Sequence, residues 1–187
     1  MISLVMDTSN SYLAVGLYQD NMCLEAFQEK GSRRQSEKAI PTLKEVLDCH
    51  DIALKDVDEM IITSGPGSYT GVRVAMTIAK TLAAVSDVKI KSVSSLAAYA
   101  GMNQALSVID ARGHKVFVGV YENGLPLIKE QVMTLEDFAQ LRAEYSDYEL
   151  VGEIGCLGLD EKECDLCANI YALGQMADPI ENVDLLV

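Results

Sequence analysis

Positive charge is scarce in this sequence: 15 Lys and Arg stand against 28 Asp and Glu in 187 residues, a net charge of −13. Holding a phosphate backbone requires clustered cations, so the chain is not expected to grip nucleic acid unaided. Histidine is rarer still. His50 and His114 form no H-x-x-x-H or H-E-x-x-H pair, which leaves a zinc peptidase without ligands. No apolar run approaches the roughly 20 residues of a membrane-spanning helix; the greasiest stretch, 72–85, carries Arg73 and Lys80. The opening residues have no basic leader and reach Asp7 early, so the expectation is a soluble cytoplasmic protein. Five cysteines (Cys23, Cys49, Cys156, Cys164, Cys167) are too few, odd in number and too unevenly spread for a disulfide framework, which agrees with a reducing compartment.

What is present suffices for a core. With 49% hydrophobic and 23% charged residues, the chain should fold as one compact unit or two small lobes. Its most informative feature is an internal repeat. Laid over the segment from Ser107 without a gap, the segment from Leu4 brings Val5 onto Val108, Asp7 onto Asp110, Val15 onto Val118, Gly16 onto Gly119 and Tyr18 onto Tyr121. One structural unit therefore occurs twice. Each copy opens with an apolar run ending in Asp, continues through an alternating stretch, and turns at Asp20-Asn21 or Asn123-Gly124, dipeptides suited to a tight hairpin.

Apolar spacing predicts three antiparallel strands opening each half, then a helix over 36–50, a strand over 60–63 and a helix over 71–86. A strand over 89–93 and a helix over 95–104 lead into the second half, which repeats the order with a helix over 135–145, a strand over 149–152 and a helix over 164–176. Two βββαβα lobes, 1–104 and a shortened 105–187, describe the duplicated actin-like ATPase, or ribonuclease H-like, α/β fold.

Two motifs carry candidate chemistry. Asp7-Thr8-Ser9 follows the first strand, where short hydroxyl and backbone donors suit phosphate oxygens and a carboxylate suits a metal ion; the same residues equally make local turn bonds. Opposite it, Asp110-Ala111-Arg112-Gly113 offers an Arg and no hydroxyl. Gly65-Pro66-Gly67-Ser68-Tyr69-Thr70-Gly71 lies between a strand and a helix and is neither a P-loop nor a GxGxxG fingerprint. Its glycines and the helix start admit an anion or a partner, or else a rigid turn capped by Ser68 or Thr70.

The helix that follows is apolar on two faces, Val72, Ala75, Met76, Ala79, Leu82 and Ala83 on one, Val74, Ile78 and Val85 on the other. Such a helix must be covered on both sides, by its own chain or by another. Cys164-Asp165-Leu166-Cys167 reads as a small apolar helix face, and residues 160–163 as a solvated acidic loop.

The succession Met6-Asp7-Thr8-Ser9, Gly65-Pro66-Gly67-Ser68-Tyr69-Thr70-Gly71-Val72-Arg73, Val93-Ser94-Ser95-Leu96 and Asp110-Ala111-Arg112 resembles the TsaB (YeaZ) family. The resemblance implies a catalytically silent actin-like paralogue of TsaD. With TsaD and TsaE it would support threonylcarbamoylation of adenosine 37 in ANN-decoding tRNAs, touching tRNA only through the complex. It implies no cofactor or metal of its own; whether ATP or ADP binds at the complex interface stays open, as does the oligomeric state without TsaD, where the same face could close on itself as a homodimer. The partner face would be built from the first two helices, with Ile40, Leu43, Leu47, Val74, Ile78 and Leu82 as candidates. Asp7, Thr8, Ser9, Gly65, Gly67, Ser68, Thr70, Gly71 and Arg73 are the loop candidates. The sequence departs from the family at Gln35, where a His is usual, and after Glu149. The competing reading is an independent actin-like ATPase or phosphotransferase built on Asp7-Thr8-Ser9.

Overall fold

A computed structural model describes residues 1–31 and 35–183, so the last four residues of the expected second lobe lie outside it. The first half forms strands β1 (Ile2–Asp7), β2 (Tyr12–Gln19) and β3 (Met22–Lys30), helix α1 (Gln35–Asp48), strand β4 (Glu59–Thr63), helix α2 (Tyr69–Val85), strand β5 (Lys89–Val93) and helix α3 (Ser95–Ala100). The second half forms β6 (Ala105–Arg112), β7 (Lys115–Glu122), β8 (Leu125–Pro126), β9 (Gln131–Thr134), α4 (Leu135–Glu144), β10 (Glu149–Gly152) and α5 (Leu166–Met176). The first sheet runs β3-β2-β1-β4-β5; in the second, β10-β6-β7 is followed by β8 and β9, which pair with different stretches of β7. This is the duplicated actin-like architecture, with the third strand of the second copy broken in two.

Five layers result. Helices α1 and α2 cover the outer face of the first sheet on Leu4, Met6, Leu13, Val15, Met60 and Ile62. Helix α4 covers the far face of the second. The layer between the sheets is crossed: α3, from the first half, packs on β6, β7 and β10, while α5, from the second, packs on β1, β2, β4 and β5. The halves are thus interlocked through one shared core that includes Val5, Ile61, Leu96, Ile109 and Ile170. Lys91 and Glu59, paired at 2.9 Å and nearly buried, pin the end of α5, for Gln175 also donates to Glu59 and Lys91 to the Gly174 carbonyl. Helix α3 is shorter than its apolar run predicted because Gly101, with φ of 58°, closes it.

The ungapped repeat needs one correction. Leu17 and Val120 occupy equivalent places, but Leu4, opposite Leu17 and beside Met60, corresponds to Leu106, opposite Val120 and beside Leu150. The second copy thus has one residue more between its first strand and its second than the gapless overlay assumed. Its counterpart to Asp7 is the buried Ile109, and Asp110 stands one position beyond, exposed. A slip of one residue exchanges the two faces of a strand, and only the pairing registers reveal it.

Candidate functional site

Strand β1 carries Asp7 to its carboxyl end, against β4. There Asp7 Oδ1 accepts the Ser9 backbone N–H at 2.8 Å, the Ser9 hydroxyl at 2.6 Å and the Thr63 hydroxyl. Ser9 Oγ lies 2.8 Å from Ser95 Oγ at the start of α3. The group is wholly buried, and burial pushes the Asp7 carboxyl above its ordinary range although the Ser9 and Thr63 donors oppose the shift. A carboxylate so enclosed ties β1, β4 and α3 together. Among the described residues no three His, Cys, Asp or Glu side chains gather as a metal site.

The glycine loop docks on this turn. Thr8 Oγ1 donates to the Gly71 carbonyl at 2.6 Å, the Ser68 N–H donates to the Ser9 carbonyl at 2.7 Å, and Asn10 Nδ2 to the Pro66 carbonyl at 3.2 Å. A Cβ on Gly71 would stand 2.0 Å from the Thr8 oxygen, and one on Gly67 2.4 Å from the Ser9 oxygen. Those two glycines permit the contact of two backbones. Gly65 turns the chain at φ of 96°, and Ser68 rather than Thr70 caps α2 by accepting the Gly71 N–H. Asp7, Thr8, Ser9, Gly65, Gly67, Ser68, Thr70 and Gly71 therefore converge, largely on one another.

Facing this turn, Asp110, Ala111 and Arg112 close the other wall of an interlobe cleft of about 770 Å³. Ser9, Asn10, Ser11, Gly67, Ser68, Tyr69 and Thr70 line one side, and Glu153, Cys156 and Glu161 complete the other. Glu153, which the sequence did not mark, bridges the lobes: it accepts the Ser11 hydroxyl from the first half and the Asp110 N–H, at 3.1 Å, from the second. Lys30 reaches across to Glu161. Three carboxylates facing one arginine make this cleft poor in positive charge for a nucleotide phosphate.

A second depression, about 390 Å³, lies between α1 and α2 and is bounded by Ser36, Ile40, Tyr69, Thr70, Arg73, Val74, Thr77 and Ile78. Ile40 is 62% exposed and Tyr69 75%; Val74 and Ile78 are half-buried. Leu43, Leu47 and Leu82 are 6%, 5% and 3% exposed, part of the core under α1 and α2, which removes them from the expected partner face. Helical periodicity marks an apolar side chain without saying which apolar face meets the sheet. Arg73 belongs to this groove rather than to the cleft: it stacks over the Tyr69 ring, 5.2 Å from its centroid, and donates to its hydroxyl. The i, i+4 spacing of Tyr69 and Arg73 was the available signal for that pair. The two terminal cysteines are directed at different carbonyls, of Tyr99 and Phe27, with burial raising their thiols to about 11 for Cys164 and about 12 for Cys167. Neither is poised for redox work at neutral pH.

Residues 28–153 match the family described as TsaD, tRNA N6-adenosine threonylcarbamoyltransferase. The tRNA threonylcarbamoyladenosine biosynthesis protein TsaB of Bacillus subtilis is 33% identical over 153 residues, 77% of this chain and 67% of that protein. Its Escherichia coli namesake is 30% identical over 132 residues, 65% of this chain and 57% of its own length. The chain thus spans only 57% of the latter's length. Among solved structures, YeaZ from Pseudomonas aeruginosa superimposes with a TM-score of 0.82 at 21% identity, covering 100% of this chain and 97% of that one. A Pseudomonas aeruginosa protein described as similar to peptidase YEAZ gives 0.84 at 24%, covering 98% and 96%. At such identities the likeness concerns the fold.

Proposed function

The chain belongs to the TsaB family, and on that footing we propose that it is a non-catalytic scaffold and activating subunit of tRNA threonylcarbamoyladenosine synthesis. It docks a TsaD subunit through α1 and α2, meets TsaE and tRNA only within the assembly, and works in the cytoplasm. The observation that carries this reading is the apolar groove formed by the exposed Ile40 and the half-buried Val74 and Ile78, on two helices whose inner faces hold the core. Water against that groove is unfavourable by about 25 cal/mol for each Å² of apolar surface, and a helical partner relieves it. In the absence of TsaD the same groove can close on a second copy.

The buried Asp7, whose Oδ1 accepts from Ser9 and Thr63, supports the same conclusion, since a carboxylate enclosed among those donors is withdrawn from phosphate or metal chemistry. ATP or ADP, where the complex uses it, then sits at the complex interface. The test is co-expression with the TsaD of the same genome: a stable pair is expected, and Ile40→Asp should break it without unfolding the chain. Intact association of that variant overturns the reading. One observation favours the other reading, an independent actin-like ATPase or phosphotransferase: the interlobe cleft lies where that fold places a nucleotide. Calorimetric binding of Mg·ATP to the isolated chain would move the assignment there.

A further inference from the structure

Two features of the structure meet at two adjacent residues. Tyr69 and Thr70 wall both the groove between α1 and α2 and the interlobe cleft. The cleft has little freedom to widen by a swing of the lobes: α3 and α5 cross between the sheets, Glu153 ties Ser11 to Asp110, and Lys30 holds Glu161. Interdigitated cores resist continuous deformation. What is left to move is at the mouth. Tyr69, at the first position of α2, is exposed over most of its surface, and its visible restraint is the stack and hydroxyl bond with Arg73, itself exposed. Surface side chains held by one such contact change rotamer on the nanosecond scale.

We propose that Tyr69 is a positioning residue that couples the two sites: a partner seated in the groove fixes the Tyr69–Arg73 stack, and the fixed ring narrows the mouth of the cleft. This inference rests on the docking reading above and adds its regulation. The partner is the second actin-like subunit, and the consequence is that access to the cleft depends on assembly. Tyr and Arg are also the side chains that most often anchor an interface, because each combines a large rigid surface with a polar end.

Cys156 lines the cleft on the wall opposite Tyr69 and supplies a native reporter. Its thiol is held above the ordinary value by burial, with Asp110 and Glu153 adding to the shift, so alkylation is slow enough for changes in access to register. The experiment follows iodoacetamide labelling of Cys156 at mildly alkaline pH by peptide mass spectrometry, with Cys23 and Cys49 replaced by Ser. In the isolated chain, Tyr69→Ala should speed labelling severalfold and Tyr69→Phe should leave it unchanged; equal rates for Tyr69→Ala and the parent overturn the wall role. With saturating TsaD, labelling should slow in the parent and in Tyr69→Phe but not in Tyr69→Ala. Protection that persists in Tyr69→Ala, or none in the parent, overturns the coupling. Failure of the parent chain to bind TsaD at all is read separately in the same samples by gel filtration; it overturns the docking reading and the coupling with it, while the partner-free arm still judges the wall.

Discussion

Gly71→Ala isolates the contact on which the candidate site is built. The added methyl carbon would start 2.0 Å from the Thr8 carbonyl oxygen, a backbone atom in a buried turn. Ordinary contact begins near 3.4 Å, so α2 and the Thr8 turn must part by about 1.4 Å. Forcing an oversized group into a packed site costs about 1–3 kcal/mol, and a backbone neighbour puts this case at the upper end. Separation also breaks the bond from Thr8 Oγ1 to the Gly71 carbonyl, worth about 1 kcal/mol. Against this, Ala is favoured over Gly within a helix by about 1 kcal/mol. The sum is a loss of about 3 kcal/mol, or about 6–12 °C in Tm for a chain of this size. Urea and thermal melts measure it, with Gly113→Ala as the control: nothing lies near a Cβ there, and only its φ of 60° opposes the change. That control should lose about 1–2 kcal/mol. A Gly71→Ala protein as stable as the parent would show that the glycine does not serve the approach of two backbones, and would return the loop to a ligand.

Ile40→Asp should leave the melting temperature within experimental scatter, because the side chain is largely exposed, yet weaken TsaD association at least about tenfold, the equivalent of 1.4 kcal/mol, by isothermal titration. Asp7→Asn should be neutral or stabilising at neutral pH while Asp7→Ala destabilises. The folded Asp7 keeps its proton to higher pH than the unfolded one, so stability falls as pH rises through the window above the ordinary Asp value; Asn keeps an acceptor oxygen and removes that slope, which pH-dependent melts read directly. Lys91→Met leaves the buried Glu59 without its cation and should cost about 3–5 kcal/mol. Burial alone would raise the Glu59 carboxyl, but Gln175, Lys91 and Ser3 hold it below its ordinary value, so this pair stabilises above that value and is lost as pH falls through the lowered one; in Lys91→Met the acid transition should move to higher pH.

Much of this was legible beforehand because local rules are strong where neighbours agree. The strand over 89–93 is β5 residue for residue, and Asn123-Gly124 makes the hairpin its positive φ angles suit. The glycine loop was recognised as unusual, but not why: the oxygens of Thr8 and Ser9 that exclude a side chain come from residues some 60 positions away in the chain. The groove between α1 and α2 was half legible. Ile40, Val74 and Ile78 fall on the groove and Leu43, Leu47 and Leu82 beneath it, a division set by which stripe of each helix meets the sheet.

By itself the sequence determined the duplicated α/β order, the acidic balance of charge and the Asp7 turn and glycine loop as two separate motifs, since each follows from composition, spacing or repetition along the chain. Only the tertiary structure decided the register of the second copy. In β1 and β6 consecutive residues such as Leu4, Val5 and Met6 are all buried, so no alternation betrays which face a residue takes. Only the tertiary structure, likewise, decided the exchange of α3 and α5 between sheets and the role of Glu153 as a bridge. Those are contacts between distant segments, and nothing in a linear pattern encodes which of two apolar sheet faces a helix will cover.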